Sequence, residues 1–90
     1  MSPPAVLPEA PEGVRVLLLG KPGCHLCEDA RAVVERVCAE SAATYAEIDI
    51  LTDPALADRW FEEIPVVAVD GAVLDVLGVD PVRLRAALAR

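Results

Sequence analysis

The sequence predicts an α/β domain with the element order βαβαββα, in which a four-stranded mixed sheet is flanked by three helices. Ninety residues with a hydrophobic share of 54% suffice for one core without disulfide or metal staples. Short apolar runs alternate with stretches of helical periodicity, and a two-residue turn signal joins the last two runs. The first two strands are therefore expected to be parallel across a helix, and the last two to form an antiparallel hairpin.

The first half of the predicted domain contains a strand, a helix and a second strand. The run from Val14 to Leu19 is almost wholly apolar and is closed by a turn rich in Gly and Pro at residues 20–23, which is typical of a buried strand. From about His25 to Glu40, apolar residues recur every three or four positions, which indicates an amphipathic helix. From Thr44 to Ile50, apolar and polar residues alternate in part, which favours a second strand.

A short helix is predicted next. Thr52 or Asp53 before Pro54 marks its start, and it is expected to run through Trp60 or Phe61. These two aromatic residues are expected to cover the sheet rather than to bind substrate.

The C-terminal third predicts a hairpin followed by a helix. Asp70-Gly71 joins residues 66–69 to residues 72–76, and this dipeptide is a strong hairpin signal. Asp80-Pro81 then marks the start of a last helix that extends toward Arg90.

The ends, charge and composition of the chain limit its function classes. Residues 1–12 contain four prolines and predict a flexible tail, which leaves residues 13–90 as the domain. A net charge of −7 without Lys and Arg clusters argues against nucleic acid. The sequence lacks a signal-peptide pattern and a run of eighteen apolar residues, so neither secretion nor a membrane span is expected. Three cysteines are few for a secreted disulfide scaffold, so we expect a reducing cytoplasm.

Cys24 and Cys27 are the most informative pair in the chain, because only two residues separate them and they lie between a predicted strand and a predicted helix. Three segments carry a resemblance to a known family: residues 20–27, Ile64-Pro65-Val66-Val67 and Asp70-Gly71. In these segments the chain resembles the thioredoxin-fold superfamily and, more closely, the small glutaredoxin-like proteins. The resemblance covers about residues 13–90. It implies a thioredoxin-like fold and a thiol–disulfide oxidoreductase.

Cys24 is the candidate nucleophile, because a helix N-terminus stabilises a thiolate there. Cys27, one turn further, is the candidate resolving thiol that attacks a mixed disulfide on Cys24. Lys21 and a protonated His25 are candidate modulators that add positive charge, whereas the acidic residues at positions 28 and 29 oppose them. Many glutaredoxins have Pro and Tyr between the two cysteines, and this chain departs from that pattern with His25 and Leu26.

Ile64 and Pro65 are candidate substrate-binding residues. An X-Pro bond is cis in only about 5–6% of cases, so the base rate favours trans. The resemblance implies a cis-Pro opposite the cysteine pair, with the preceding backbone free to pair with an extended substrate. In the simpler interpretation, Pro65 only starts a strand.

The family's glutathione site is matched in part. Lys21 corresponds to its basic residue three positions before the first cysteine, and Gly78-Val79-Asp80 resembles its Gly-Gly and Asp region without the second Gly. Asp80 is therefore a candidate binding residue, although an N-cap role before Pro81 is equally supported. We expect no bound cofactor, with glutathione as a candidate reductant.

The expected partners are a disulfide-containing protein or a glutathione adduct, together with a reductant system, and the expected oligomeric state is a monomer. Cys38 lies eleven residues after Cys27, on nearly the same helix face, and is expected to be a buried structural thiol. Two alternatives stay open: a non-catalytic peptide-binding module, and metal or iron–sulfur binding by Cys24 across a dimer. A metal site within one chain is not expected, because one His and one CxxC provide too few ligands.

Overall fold

The structure is a computed structural model that describes residues 7–90. Part of the predicted tail, residues 1–6, lies outside the described residues. The elements follow in the predicted order: β1 (Val16–Gly20), α1 (His25–Glu40), β2 (Tyr45–Asp49), α2 (Pro54–Trp60), β3 (Val66–Val69), β4 (Ala72–Val76) and α3 (Pro81–Leu88), with a 3₁₀ turn at Ile50–Thr52 before α2. Within residues 7–90, none of the helices is long and apolar enough to cross a membrane.

The four strands form one mixed sheet in the order β2-β1-β3-β4. β1 pairs in parallel with β2, while β3 is antiparallel to both β1 and β4. Leu19 pairs with Val66, so the end of β1 and the start of β3 lie at the same end of the sheet. The predicted α/β architecture with a parallel pair and a hairpin is confirmed.

The sheet is covered on both faces by apolar side chains, because successive residues of a strand point to opposite sides. On one face, α1 and α3 pack against β1 and β3. We call this set the helix cluster; its main members are Val16, Leu18, Ala30, Val34, Val37, Cys38, Val67, Val69, Leu84, Ala87 and Leu88. The second set, which we call the disulfide cluster, consists of Leu19, Cys27, Ile50, Leu56, Trp60, Ile64 and Val66.

Local hydrogen bonds move several element ends from their predicted places. Val14 donates its N–H to the Pro11 carbonyl at 3.0 Å, and β1 begins only at Val16. Gly20, which was expected to close the strand, is its last residue. The Asp49 carboxylate accepts the Leu51 N–H at 2.9 Å, which turns the chain out of β2 before Ile50.

The segment before β1 contacts the domain. Leu7 packs against the disulfide cluster, and the segment lines a cavity together with Leu17. Arg15 lines the same cavity, forms a bidentate ion pair with Asp70 at 3.0 and 2.8 Å, and also donates to the Leu88 carbonyl at 3.0 Å. The boundary at residue 13 stays a prediction.

Candidate functional site

Cys24 and Cys27 form a disulfide at the start of α1, with their Cα atoms 5.2 Å apart. Cys24 is the N-cap residue of the helix, with extended backbone angles, and its Sγ accepts the Cys27 N–H at 3.1 Å. Its carbonyl accepts the first helical hydrogen bond, from the Glu28 N–H at 3.1 Å. The sulfur of Cys24 therefore occupies the place that a capping side chain takes at a helix N-terminus, where unpaired N–H groups favour negative charge.

The two cysteines differ in exposure. Cys27 is 0% exposed and belongs to the disulfide cluster, whereas Cys24 is partly exposed at the edge of that cluster. A substrate sulfur can approach Cys24 from solvent, while Cys27 is shielded from solvent. This asymmetry suits an attacking thiol with a sheltered partner behind it.

The two candidate modulators lie beside other side chains. The Lys21 ammonium is 5.8 Å from the centroid of the Phe61 ring, within the range of a cation–π contact. The His25 side chain is 96% exposed, and its Nδ1 lies 3.6 Å from a carboxylate oxygen of Glu28. Any positive charge on His25 is thus partly offset by the acidic group one turn further along the helix.

Ile64 and Pro65 reach the same end of the sheet as the disulfide. The peptide bond between them is cis. Since Leu19 pairs with Val66, these residues come opposite the Gly20 end of β1, from which the chain turns to Cys24. Ile64 and Cys27 both belong to the disulfide cluster, so the structure brings these predicted site residues together.

Asp80 is the N-cap of α3. Its carboxylate accepts the Val82 N–H at 2.8 Å, and its own N–H donates to the Asp75 carboxylate at 3.1 Å. β4 ends at Val76, opposite Val66, so the loop that leads to Asp80 leaves the sheet at the end that bears the disulfide. The capping alternative is confirmed, and one Asp80 oxygen is used for it.

The two neighbouring aromatic residues have different environments. Trp60 is 2% exposed in the disulfide cluster, with the Arg59 guanidinium 3.8 Å from its ring centroid. Phe61 follows α2 as its C-cap and is 54% exposed. The expectation that both cover the sheet is confirmed for Trp60 and wrong for Phe61, because the helical rotation between adjacent residues turns Phe61 away from the core.

The close approach of Gly20 to Cys27 was not predicted from the sequence, which assigned Gly20 only to the turn. A Cβ added at Gly20 would lie 3.1 Å from the Cys27 Sγ and 3.2 Å from the Cys27 Cβ. The only available signal was a glycine at the end of an apolar strand, which marks a close approach of another part of the chain.

Cys38 is the third cysteine and lies apart from the pair. It is free and 2% exposed in the helix cluster, so its predicted burial is confirmed. Burial raises the pKa of this thiol. It lies eleven positions after Cys27 in the helix, about 16 Å further along the axis. Among residues 7–90, no three His, Cys, Asp or Glu side chains are grouped so that they could hold a metal ion.

A mixed sheet with a cysteine pair at the start of its first helix defines a thioredoxin-like α/β domain. The sequence profile of the glutaredoxin-like domain family (DUF836) matches residues 15–89. The chain therefore belongs to the glutaredoxin-like domain family. A search of curated proteins gave no significant match.

Solved structures share this architecture. The X-ray structure of XcR50 from X. campestris has a TM-score of 0.68 at 29% identity, with 82% of this chain and 95% of that chain covered. The solution structure of Ne2328 from Nitrosomonas europaea has a TM-score of 0.69 at 24% identity, covering 89% and 96%. The oxidised thioredoxin from Plasmodium falciparum has a TM-score of 0.52 at 13% identity, covering 84% and 80%. The last two similarities bear on the fold alone.

Proposed function

We propose that this protein is a thiol–disulfide oxidoreductase in which Cys24 is the nucleophile and Cys27 the resolving thiol. The observation that carries the proposal is the disulfide at the N-terminus of α1, with Cys24 partly exposed and Cys27 buried behind it. Membership of the glutaredoxin-like family supports the same activity.

The reduced protein begins the reaction with its Cys24 thiolate, which attacks one sulfur of a substrate disulfide. A new S–S bond joins Cys24 to that sulfur, and the other substrate sulfur leaves as a thiolate that takes a proton from water. Cys27 then loses its proton and attacks the Cys24 Sγ. The remaining substrate thiol leaves, and the internal disulfide forms.

Two electrons pass from the protein dithiol to the substrate in each cycle, so a reductant must return two electrons to the Cys24–Cys27 disulfide. Glutathione and a protein dithiol are the two reductant classes that we propose, and the substrate is a protein disulfide or a glutathione adduct. We place this cycle in the cytoplasm, where glutathione keeps thiols reduced.

Ile64, Pro65 and Asp80 are proposed to contact the substrate, because their elements meet at the end of the sheet that bears the disulfide. Lys21 is proposed to attract an anionic substrate group such as a glutathione carboxylate. This contact competes with the position of its ammonium near the Phe61 ring.

The test compares Cys24→Ser with Cys38→Ser in two reactions: reduction of a glutathione adduct by glutathione, and reduction of insulin by a dithiol. We expect Cys24→Ser to lower both rates by at least about a hundredfold, because the hydroxyl is not a competent nucleophile at neutral pH. Cys38→Ser serves as the matched control and keeps the wild-type rates. Full activity in Cys24→Ser would contradict the assignment, and no turnover by the wild type would favour the peptide-binding alternative.

A further inference from the structure

Gly20 differs from the other glycines of the chain. Gly13, Gly23, Gly71 and Gly78 all have positive φ, between 75° and 147°, and a Cβ at any of them would meet nothing within 4 Å. The backbone conformation at these four positions favours glycine. Gly20 lies in the ordinary extended backbone of β1, so its lack of a side chain needs another explanation.

The explanation lies in the closeness of Cys27. A Cβ at Gly20 would be 3.1 Å from the Cys27 Sγ and 3.2 Å from the Cys27 Cβ. Carbon atoms pack best at about 3.5–4.0 Å, so both contacts would be repulsive. The first turn of α1 thus packs so closely against the end of β1 that a side chain at position 20 would require Cys27 to shift by a few tenths of an ångström.

Cys27 has little room to move away from such a methyl group. Its side chain is 0% exposed and is packed in the disulfide cluster with Leu19 and Ile64. Its Sγ is also bonded to Cys24, which fixes its position in the oxidised protein. A well-packed interior transmits added volume as strain rather than absorbing it.

We propose that Gly20 is a positioning residue: because it has no side chain, it leaves the space that the Cys27 Sγ occupies when the disulfide is formed. In the reduced protein, rotation about the Cys27 Cα–Cβ bond can move the Sγ away from position 20, while the Cβ contact is the same in both forms. In the oxidised protein the bonded sulfur must satisfy disulfide geometry and cannot move in this way. A side chain at position 20 therefore disfavours the oxidised form more than the reduced form. Gly20 favours closure of the disulfide, which is the resolving step, so this inference rests on the proposed function.

The decisive measurement is the equilibrium between the protein dithiol and oxidised glutathione. In this exchange the dithiol gives two electrons and two protons to glutathione disulfide, and the products are the Cys24–Cys27 disulfide and two molecules of glutathione. We expect Gly20→Ala to lower the equilibrium constant for disulfide formation about tenfold, within the range of overpacking effects. An unchanged constant would overturn the proposal.

Gly13→Ala is the matched control, because it introduces the same methyl at a strained φ of 83° with nothing within 4 Å. We expect it to lower stability and to leave the equilibrium constant unchanged. A fall as large as that of Gly20→Ala would assign the effect to general destabilisation and would overturn the proposal. Should Gly20→Ala fail to fold, the proposal requires that Gly20→Ala/Cys27→Ala folds, since the second change removes the sulfur, which makes the shorter of the two contacts.

A kinetic experiment connects the inference to the reaction. With a glutathione adduct as substrate, we expect Gly20→Ala to form the mixed disulfide on Cys24 at the wild-type rate and to resolve it about tenfold more slowly. Slowing of the first step instead would contradict a role in positioning Cys27. The glutathione equilibrium needs no turnover, so it tests Gly20 even if the wild type proves inactive and the proposed function fails.

Discussion

The first and last turns of α1 place cysteines in opposite environments. Cys24 caps the first turn, is partly exposed and accepts a backbone N–H, whereas Cys38 in the last turn is 2% exposed and free. The N-terminal end of a helix favours a thiolate, while the C-terminal end and burial both disfavour it. We therefore expect the two thiols to differ in reactivity because of their positions along one helix.

The largest expected difference between the two turns is in chemical reactivity. In the reduced protein at pH 7, we expect iodoacetamide to label Cys24 at least about a hundredfold faster than Cys38, because the raised pKa of Cys38 and its burial both lower its reactivity. Mass spectrometry of digested samples taken over time measures both rates. Equal labelling would remove the contrast between the two turns.

Much of this contrast could be predicted from the sequence because it depends on local signals. The periodicity from His25 to Glu40 gave the observed helix ends, and the eleven-residue spacing placed Cys38 in the core. Contacts between distant segments could not be predicted in this way. Leu7 packs against the disulfide cluster, and Gly20 gives room to Cys27, only because the fold brings separate parts of the chain together.

Phe61 and Asp80 also show that local sequence signals do not determine tertiary contacts. A short helix ending near Trp60 was predicted, but its sequence could not show which of two adjacent aromatic residues faces the sheet. The cap at Asp80 was one of two interpretations of Asp-Pro, and its hydrogen bond with Asp75 depends on the loop that follows β4. Side-chain direction at an element end depends on tertiary packing.

A change in stability without a change in activity is expected for Cys38→Ala. Removing this buried sulfur from the helix cluster should lower the free energy of unfolding by about 1 kcal/mol. Urea unfolding measures the loss, and Cys24→Ser in the reduced protein is the comparison, with a smaller loss because Cys24 is partly exposed and a serine hydroxyl can still cap the helix. A larger loss at Cys24 would reverse the predicted order.

A pH effect of the last turn follows from the raised pKa of Cys38. Above about pH 8.5 the unfolded thiol loses its proton while the folded thiol keeps it, so stability falls as pH rises toward the folded pKa. We expect urea midpoints of the oxidised protein to fall between pH 8 and pH 10 less steeply in Cys38→Ala than in the wild type. Cys24 and Cys27 do not titrate in that form. Identical slopes would show that Cys38 is not the responsible group.

The smallest expected effect concerns the first turn. Glu28→Gln removes a negative charge from the start of α1 and leaves His25 without its acidic neighbour. Both changes favour a thiolate, so labelling of Cys24 at pH 7 should become about two- to threefold faster. Glu35→Gln, two turns further along the helix, serves as the control and should leave the rate unchanged. A slower rate in Glu28→Gln would mean that its carboxylate assists Cys24.

Trapping of the mixed disulfide most directly tests the proposed roles of Cys24 as nucleophile and Cys27 as resolving thiol. Cys27→Ser lacks the resolving thiol, so a disulfide substrate should stay bonded to the protein after the first attack. We predict that peptide mapping finds one substrate molecule on Cys24 and that a thiol reductant releases it. An adduct on Cys38, or wild-type turnover without any adduct in Cys27→Ser, would contradict it.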